Sequence, residues 1–168
     1  MNTATESKES KTIHIRKGEE KDIPRMLELL LQVCTVHHKG RPDLFRAGAR
    51  KYEAEDLAKM LADPRLPILV AADENDRLCG YAFCVLQEHK GNAALCDIKT
   101  LYIDDLCVDE AMRGQHIGSA LYRATVELAK SIGCHNLTLN AWSCNESAVR
   151  FYEAMGLKVQ KYGMETIL

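Results

Sequence analysis

The chain has 168 residues, 46% of them hydrophobic, with a formal net charge of −2, which suits a single globular domain with one sizeable core. That charge argues against a protein that coats nucleic acid, and apolar runs such as 68–72 are far too short to span a bilayer. Seven scattered cysteines with no CxxC pair read as free thiols in a reducing cytoplasm, with no metal site.

Residues 1–11 are polar and lack an apolar signal core, so they read as a disordered tail ahead of a single domain over 12–168. "KTIHIRKG" alternates Ile13 and Ile15 with polar residues, as a short half-buried strand does. In "EEKDIPRMLELLLQVCTVHHKG", Ile23, Leu27, Leu30, Leu31 and Cys34 recur at helical spacing. Asp22 and Pro24 suit the entrance and Gly40 the exit. A second helix is expected over 52–62, before Pro64. "LPILVAADENDRLCGYAFCVLQE" reads as a hairpin turning at 75–77, and "ALCDIKTLYIDDLCVDE" as a long third strand. A helix over 117–131, the strand "NLTLNAW", a helix over 145–155 and closing strands in "LKVQKYGMETIL" complete the chain. The order β-α-α-β-β-β-α-β-α-β-β is mixed α/β, with antiparallel hairpins leading into one βαβ unit.

"MRGQHIGSAL" places Gly114 and Gly118 around His116, directly ahead of an amphipathic helix. Glycine lowers helix stability, so a cluster at a helix entrance has a steric reason. No Lys-Ser or Lys-Thr follows at Walker spacing, and the glycine spacing fits no dinucleotide fingerprint. Two readings remain: backbone amides over 114–119 converging on a diphosphate, with Arg113 adding a charge-assisted contact, or a plain strand–helix turn.

"LCVDEAMRGQHIGSAL", followed by "NAWSCNESAVRFYEAMGL", resembles the GNAT superfamily of acyl-CoA-dependent N-acetyltransferases. Arg113 and Gly118 match its pattern [RQ]-x-x-G-x-[GA], while His116 stands where glycine is usual. Asn145, Ala148, Phe151, Tyr152 and Gly156 match N-x-x-A-x-x-F-Y-x-x-x-G. The resemblance implies a central mixed, mostly antiparallel sheet of six to seven strands flanked by four helices. It also implies acetyl-CoA as cosubstrate and no metal. The cofactor would lie along Leu106, Cys107 and Val108, as an added strand does. Its diphosphate would rest on Arg113, Gly114, Gln115, His116, Ile117, Gly118 and Ser119, with Asn145, Ala148 and Tyr152 beside the arm.

Tyr152 holds the family's general-acid position, since a phenol stays protonated at neutral pH and can donate to a departing thiolate. Asp104 and Asp105 are the base candidates, because two carboxylates on an apolar strand imply a wet cleft. Strand parity lets only one face the site unless a bulge intervenes. Asp104 is the first choice, and Asp105 is retained. On the acceptor side stand His37, His38, Arg41 and Phe45, which read equally as structural residues. The resulting expectation is direct acetyl transfer to a primary amine of a small molecule, such as a diamine or polyamine-like cation. Protein N-termini or lysines are the alternative acceptors, and a non-catalytic acyl-CoA-sensing module is the alternative of another class. No nucleic-acid or membrane partner is expected, and a homodimer is compatible with the resemblance.

Overall fold

In the computed structural model, residues 12–168 are described; the expected tail 1–11 lies outside them. Strands β1 (His14–Lys17), β2 (Ile68–Ala72), β3 (Leu78–Glu88), β4 (Lys99–Val108) and β5 (Asn136–Leu139) form one sheet in the order β1-β2-β3-β4-β5. Every pairing is antiparallel except β4 with β5, which α3 (Ile117–Ser131) connects. Helices α1 (Ile23–Gly40) and α2 (Ala54–Ala62) cover one face, and α3 covers the other. The chain then forms α4 (Glu146–Ala154).

The period-two alternation of the strands divides the core between these faces. Val70, Tyr81, Phe83 and Cys107 meet Met26, Leu29, Leu30 and Leu57 beneath α1 and α2. Leu69, Ala71 and Ala82 meet Ile117 and Leu121 beneath α3. Leu31, expected in the helical stripe of α1, is instead exposed, and Met26 and Leu29 carry the buried face.

Three details position the site. Helix α2 begins later than expected, at Ala54, because Glu53 and Asp56 form a reciprocal capping box. Lys51 and Tyr52 therefore lie in the preceding loop and reach across to β4. The β3–β4 register shifts after Phe83, which pairs with Asp105, whereas Cys84 pairs with Ile103, so Asp104 is an extra residue in β4. Finally, β5 pairs only with residues 100–103. From Asp104 to Val108, β4 has β3 on one side and no strand on the other among the described residues.

The closing strands do not form. The described residues hold five strands rather than six or seven, and 157–168 have no regular structure. Gly156, at φ +91°, ends α4, and Leu157 N–H donates back to Tyr152 O. The apolar residues beyond are exposed. Strand alternation yields a strand only where an edge is available to pair with, and nothing pairs with this segment here.

Candidate active site

The segment joining β4 to α3 is tied down at its start. Asp109 is buried, its carboxylate accepting from Arg25, from Gln32 at 3.4 Å and from Ala111 N–H at 3.2 Å. This fixes the 3₁₀ turn Glu110–Met112 against α1. Gly114 then takes φ +77°, and His116 takes the left-handed conformation at φ 60°, ψ 12°. Ile117 buries its side chain under the loop, and the helix begins.

The first bond of α3 runs from Ala120 N–H to His116 O. Among the described residues, no protein acceptor takes a hydrogen bond from the main-chain N–H groups of residues 114–119. Six consecutive donors at a positive helix end, on an exposed to half-exposed loop, form a cradle for a multiply charged anion. Gly118 also has a packing role. A Cβ there would lie 3.4 Å from Phe151 Cζ and 3.7 Å from Val108 Cγ2, so the cradle abuts α4 and the end of β4. Arg113 has its Nε committed to Val108 O at 3.2 Å, while Gln115 turns back towards Met112.

His116 is exposed and its side chain caps nothing. The left-handed region costs an L-residue about 1–2 kcal/mol, partly offset by the entropy glycine loses on folding. His116→Gly is therefore expected to stabilise the fold by about 0.5–1 kcal/mol while acetyl-CoA affinity is retained, read from urea midpoints and calorimetric titration.

The bulge places both carboxylates on the α1 side of the sheet, the exception to strand parity that a bulge allows. They are held differently. Asp104 is engaged at both oxygens: Lys51 Nζ donates to Oδ1 at 2.7 Å, and Tyr52 hydroxyl donates to Oδ2 at 2.6 Å. Lys51 also reaches Asp104 O at 3.3 Å. Asp105 accepts from the buried Tyr81 hydroxyl at 2.8 Å, and Tyr81 is stacked on Phe83 at a centroid distance of 4.0 Å. Burial raises the Asp105 carboxyl to about 6; the Tyr81 hydrogen bond and Lys51 oppose the rise, and Asp104 adds to it. Cys107, next on the same face, is pushed up to about 12 by burial and by Asp105, so its thiol stays protonated.

Asn145 caps α4, accepting from Ala148 N–H at 3.3 Å and from Ser147 hydroxyl at 3.0 Å. Its carbonyl is thereby used, and its amide donors remain. On α4, Phe151 packs on Gly118, and Tyr152 turns towards β4. Burial, then the charge of Asp105 and nearby Cys107, raise the Tyr152 phenol well above the usual tyrosine range. The hydroxyls of Tyr52, Tyr81 and Tyr102 have protein partners, whereas those of Tyr122, Tyr152 and Tyr162 have none among the described residues.

The C-terminal end of α1 supplies the opposite wall. His37 is half-buried against Phe45, with ring centroids 5.0 Å apart, and Phe45 meets Trp142 edge-on at 5.1 Å. Burial and then Lys51 lower the His37 pKa. His38 is tied through Nδ1 to Phe45 O at 2.6 Å. Arg41 bridges Asp43 at 2.7 Å and Glu165. His38 and Arg41 are therefore held by protein partners, and His37 and Phe45 pack together beside Trp142. Lys51, Tyr52 and Tyr81 were not legible as site residues, because their roles depend on the bulge and on where α2 begins. Among the described residues, no three His, Cys, Asp or Glu side chains converge as a metal site.

The model of the acetyltransferase (GNAT) family matches residues 30–157. The chain belongs to that family. It is similar to glucosamine 6-phosphate N-acetyltransferase of Trypanosoma brucei brucei, at 32% identity over 90% of this chain and 93% of that protein. It also matches N-alpha-acetyltransferase 30 of Schizosaccharomyces pombe, at 31% identity over 49% of this chain; it spans only 52% of that relative's length. A crystal structure of a mutant BH1408 protein from Bacillus halodurans superimposes with a TM-score of 0.88. It is 29% identical, over 92% of this chain and 99% of that one. The family uses acetyl-CoA as cosubstrate. No helix among the described residues is long and apolar enough to cross a membrane.

Proposed function

We propose that this GNAT-family chain is an N-acetyltransferase that passes the acetyl group of acetyl-CoA directly to the primary amine of a small cationic molecule. The observation that carries the proposal is the continuity of three features. The six free N–H groups over 114–119 adjoin the unpaired edge of β4 over 104–108, and that edge lies beside Asp105 and Tyr152. The first suits a diphosphate, the second an extended amide-bearing arm, and the third acid–base work.

In this reading the main-chain N–H groups near Cys107 and Val108 polarise the acetyl carbonyl, where such donors are worth roughly 3–4 kcal/mol. Asp105, ionised above about pH 6, takes a proton from the acceptor's ammonium, so that the neutral amine attacks the thioester carbonyl. Tyr152 gives its proton to the thiolate as the C–S bond breaks and regains one as the nitrogen of the tetrahedral intermediate sheds its second. Asp105 displaces Asp104 as the preferred base, because both oxygens of Asp104 are already occupied by Lys51 and Tyr52. Lys51 neutralises Asp104, which leaves Asp105 as the carboxylate beside the acetyl position, and a carboxylate there suits an acceptor that arrives as an ammonium. The names of the relatives span glucosamine 6-phosphate, thialysine, peptidyl-lysine and N-alpha acetylation, so the acceptor assignment rests on this chain's own residues.

Acetyl-CoA at about 100 times its dissociation constant is expected to stabilise the fold by about 2.7 kcal/mol, visible as a raised melting temperature. CoA release with a panel of diamines, amino sugars and lysine-containing or free-N-terminal peptides then identifies the acceptor. Turnover confined to peptides would reject the small-molecule assignment. Stabilisation without turnover of any amine would favour an acyl-CoA sensor.

A further inference from the structure

Beyond Leu139, β5 parts from β4, and the chain that follows packs on the end of α1, where a Cβ at Gly40 would lie 2.7 Å from Cys144 Sγ. Trp142, the chain's one tryptophan, stands in this stretch at 42% exposure. Its ring meets Phe45 edge-on at 5.1 Å, and Phe45 lies 5.0 Å from His37, so rings from three segments form one surface. That surface is continuous with the base. Cys34 precedes His37 by three residues on the same face of α1, about 4.5 Å earlier along its axis. Burial and then the charge of Asp105 raise the Cys34 thiol, and Lys51 acts on both His37 and Asp105.

The charges around the rings restrict what they can hold. Asp43 and Glu165, gathered at the end of α1, are both held by Arg41, and Asp104 is held by Lys51. Arg46, next to Phe45, has no carboxylate partner among the described residues. A second ammonium on the acceptor would meet positive charge here and no free carboxylate. Burial and Lys51 also disfavour the imidazolium of His37, so its ring is presented uncharged. A further aromatic ring, by contrast, finds partners for the offset or edge-on contacts that such rings prefer.

We infer that Trp142, Phe45 and His37 form the subsite for the acceptor's body, and that this body is an aromatic ring joined to the reacting primary amine by a short chain. The inference rests on the reading of Asp105 as the group that receives the ammonium. The acceptor's one positive charge then goes to Asp105 and its ring to the aromatic surface. A diamine or an amino sugar can satisfy the first contact but not the second.

Because Trp142 is the single tryptophan, its emission reports on this subsite directly. With CoA bound, 2-phenylethylamine is expected to change that emission saturably, whereas 1,4-diaminobutane and glucosamine at equal concentration leave it unchanged. In turnover, kcat/KM for 2-phenylethylamine should exceed that for 1,4-diaminobutane at least about 10-fold. Trp142→Ala, at an exposed position, should raise the KM for 2-phenylethylamine about 10-fold with a smaller change in kcat, and Trp142→Phe should restore most of the loss. An emission change with the diamine but not the aryl amine, or an unchanged KM in Trp142→Ala, would overturn the inference. Saturable binding of 2-phenylethylamine without acetyl transfer would uphold the subsite and reject the transferase reading. Turnover of other amines with no preference for the aryl amine would do the reverse.

Discussion

Tyr152→Phe is expected to lower kcat by on the order of 10²-fold while leaving acetyl-CoA affinity nearly unchanged. The substitution removes one oxygen from a ring whose remaining atoms pack beside Phe151 and β4. Its hydroxyl has no protein partner among the described residues, so no internal hydrogen bond is lost and the fold should keep its stability. Burial beside Asp105 holds the phenol in its protonated form throughout the neutral range. Its proton is therefore available to a departing thiolate. Equal kcat in the two proteins would reduce Tyr152 to a packing residue. Pre-steady-state release of CoA measures the affected step directly.

Asp105→Asn is expected to lower kcat/KM by a comparable factor and to abolish an acidic limb near pH 6 in the pH profile. It should have the opposite effect on stability, and the sign follows from linkage. Burial raises the folded carboxyl to about 6 from the ordinary aspartate value of 3.8, so between these values the folded state holds the extra proton. The associated stability is complete below about pH 4 and is lost as pH rises through about 6. Above pH 7 wild type therefore bears a cost of up to about 3 kcal/mol that the asparagine protein lacks. Urea titrations at pH 4 and pH 8 test this. The variant should gain relative to wild type only at the higher pH. Lys51→Met withdraws a charge that opposes the rise, so it should move the acidic limb above 6.

The parts of this account that sequence carried are those in which a local pattern specifies a local result. The helix over 117–131, the capping role of Asn145 and the glycine-bearing turn each depend on residues within a few positions of one another. The four helices and the β2–β3 hairpin follow from periodicity for the same reason. Choosing between Asp104 and Asp105 depended on a register shift against β3, and period-two reasoning fails wherever a strand gains a residue. Lys51 and Tyr52 belong to the loop before α2 and Tyr81 to β3, and only tertiary packing brings these two segments to the carboxylates. The closing strands show a different limit. In residues 157–168, Leu157, Val159 and Ile167 fall on one parity and Tyr162, Met164 and Leu168 on the other, so period two singles out no buried face, and no strand forms there among the described residues.

The whole account depends on where the cosubstrate lies, and amide chemical shifts report that position residue by residue. In a titration of ¹⁵N-labelled protein with CoA, the largest shifts are expected at residues 114–119, with a second group at residues 106–108. Shifts concentrated elsewhere, with residues 114–119 unmoved at saturation, would contradict it.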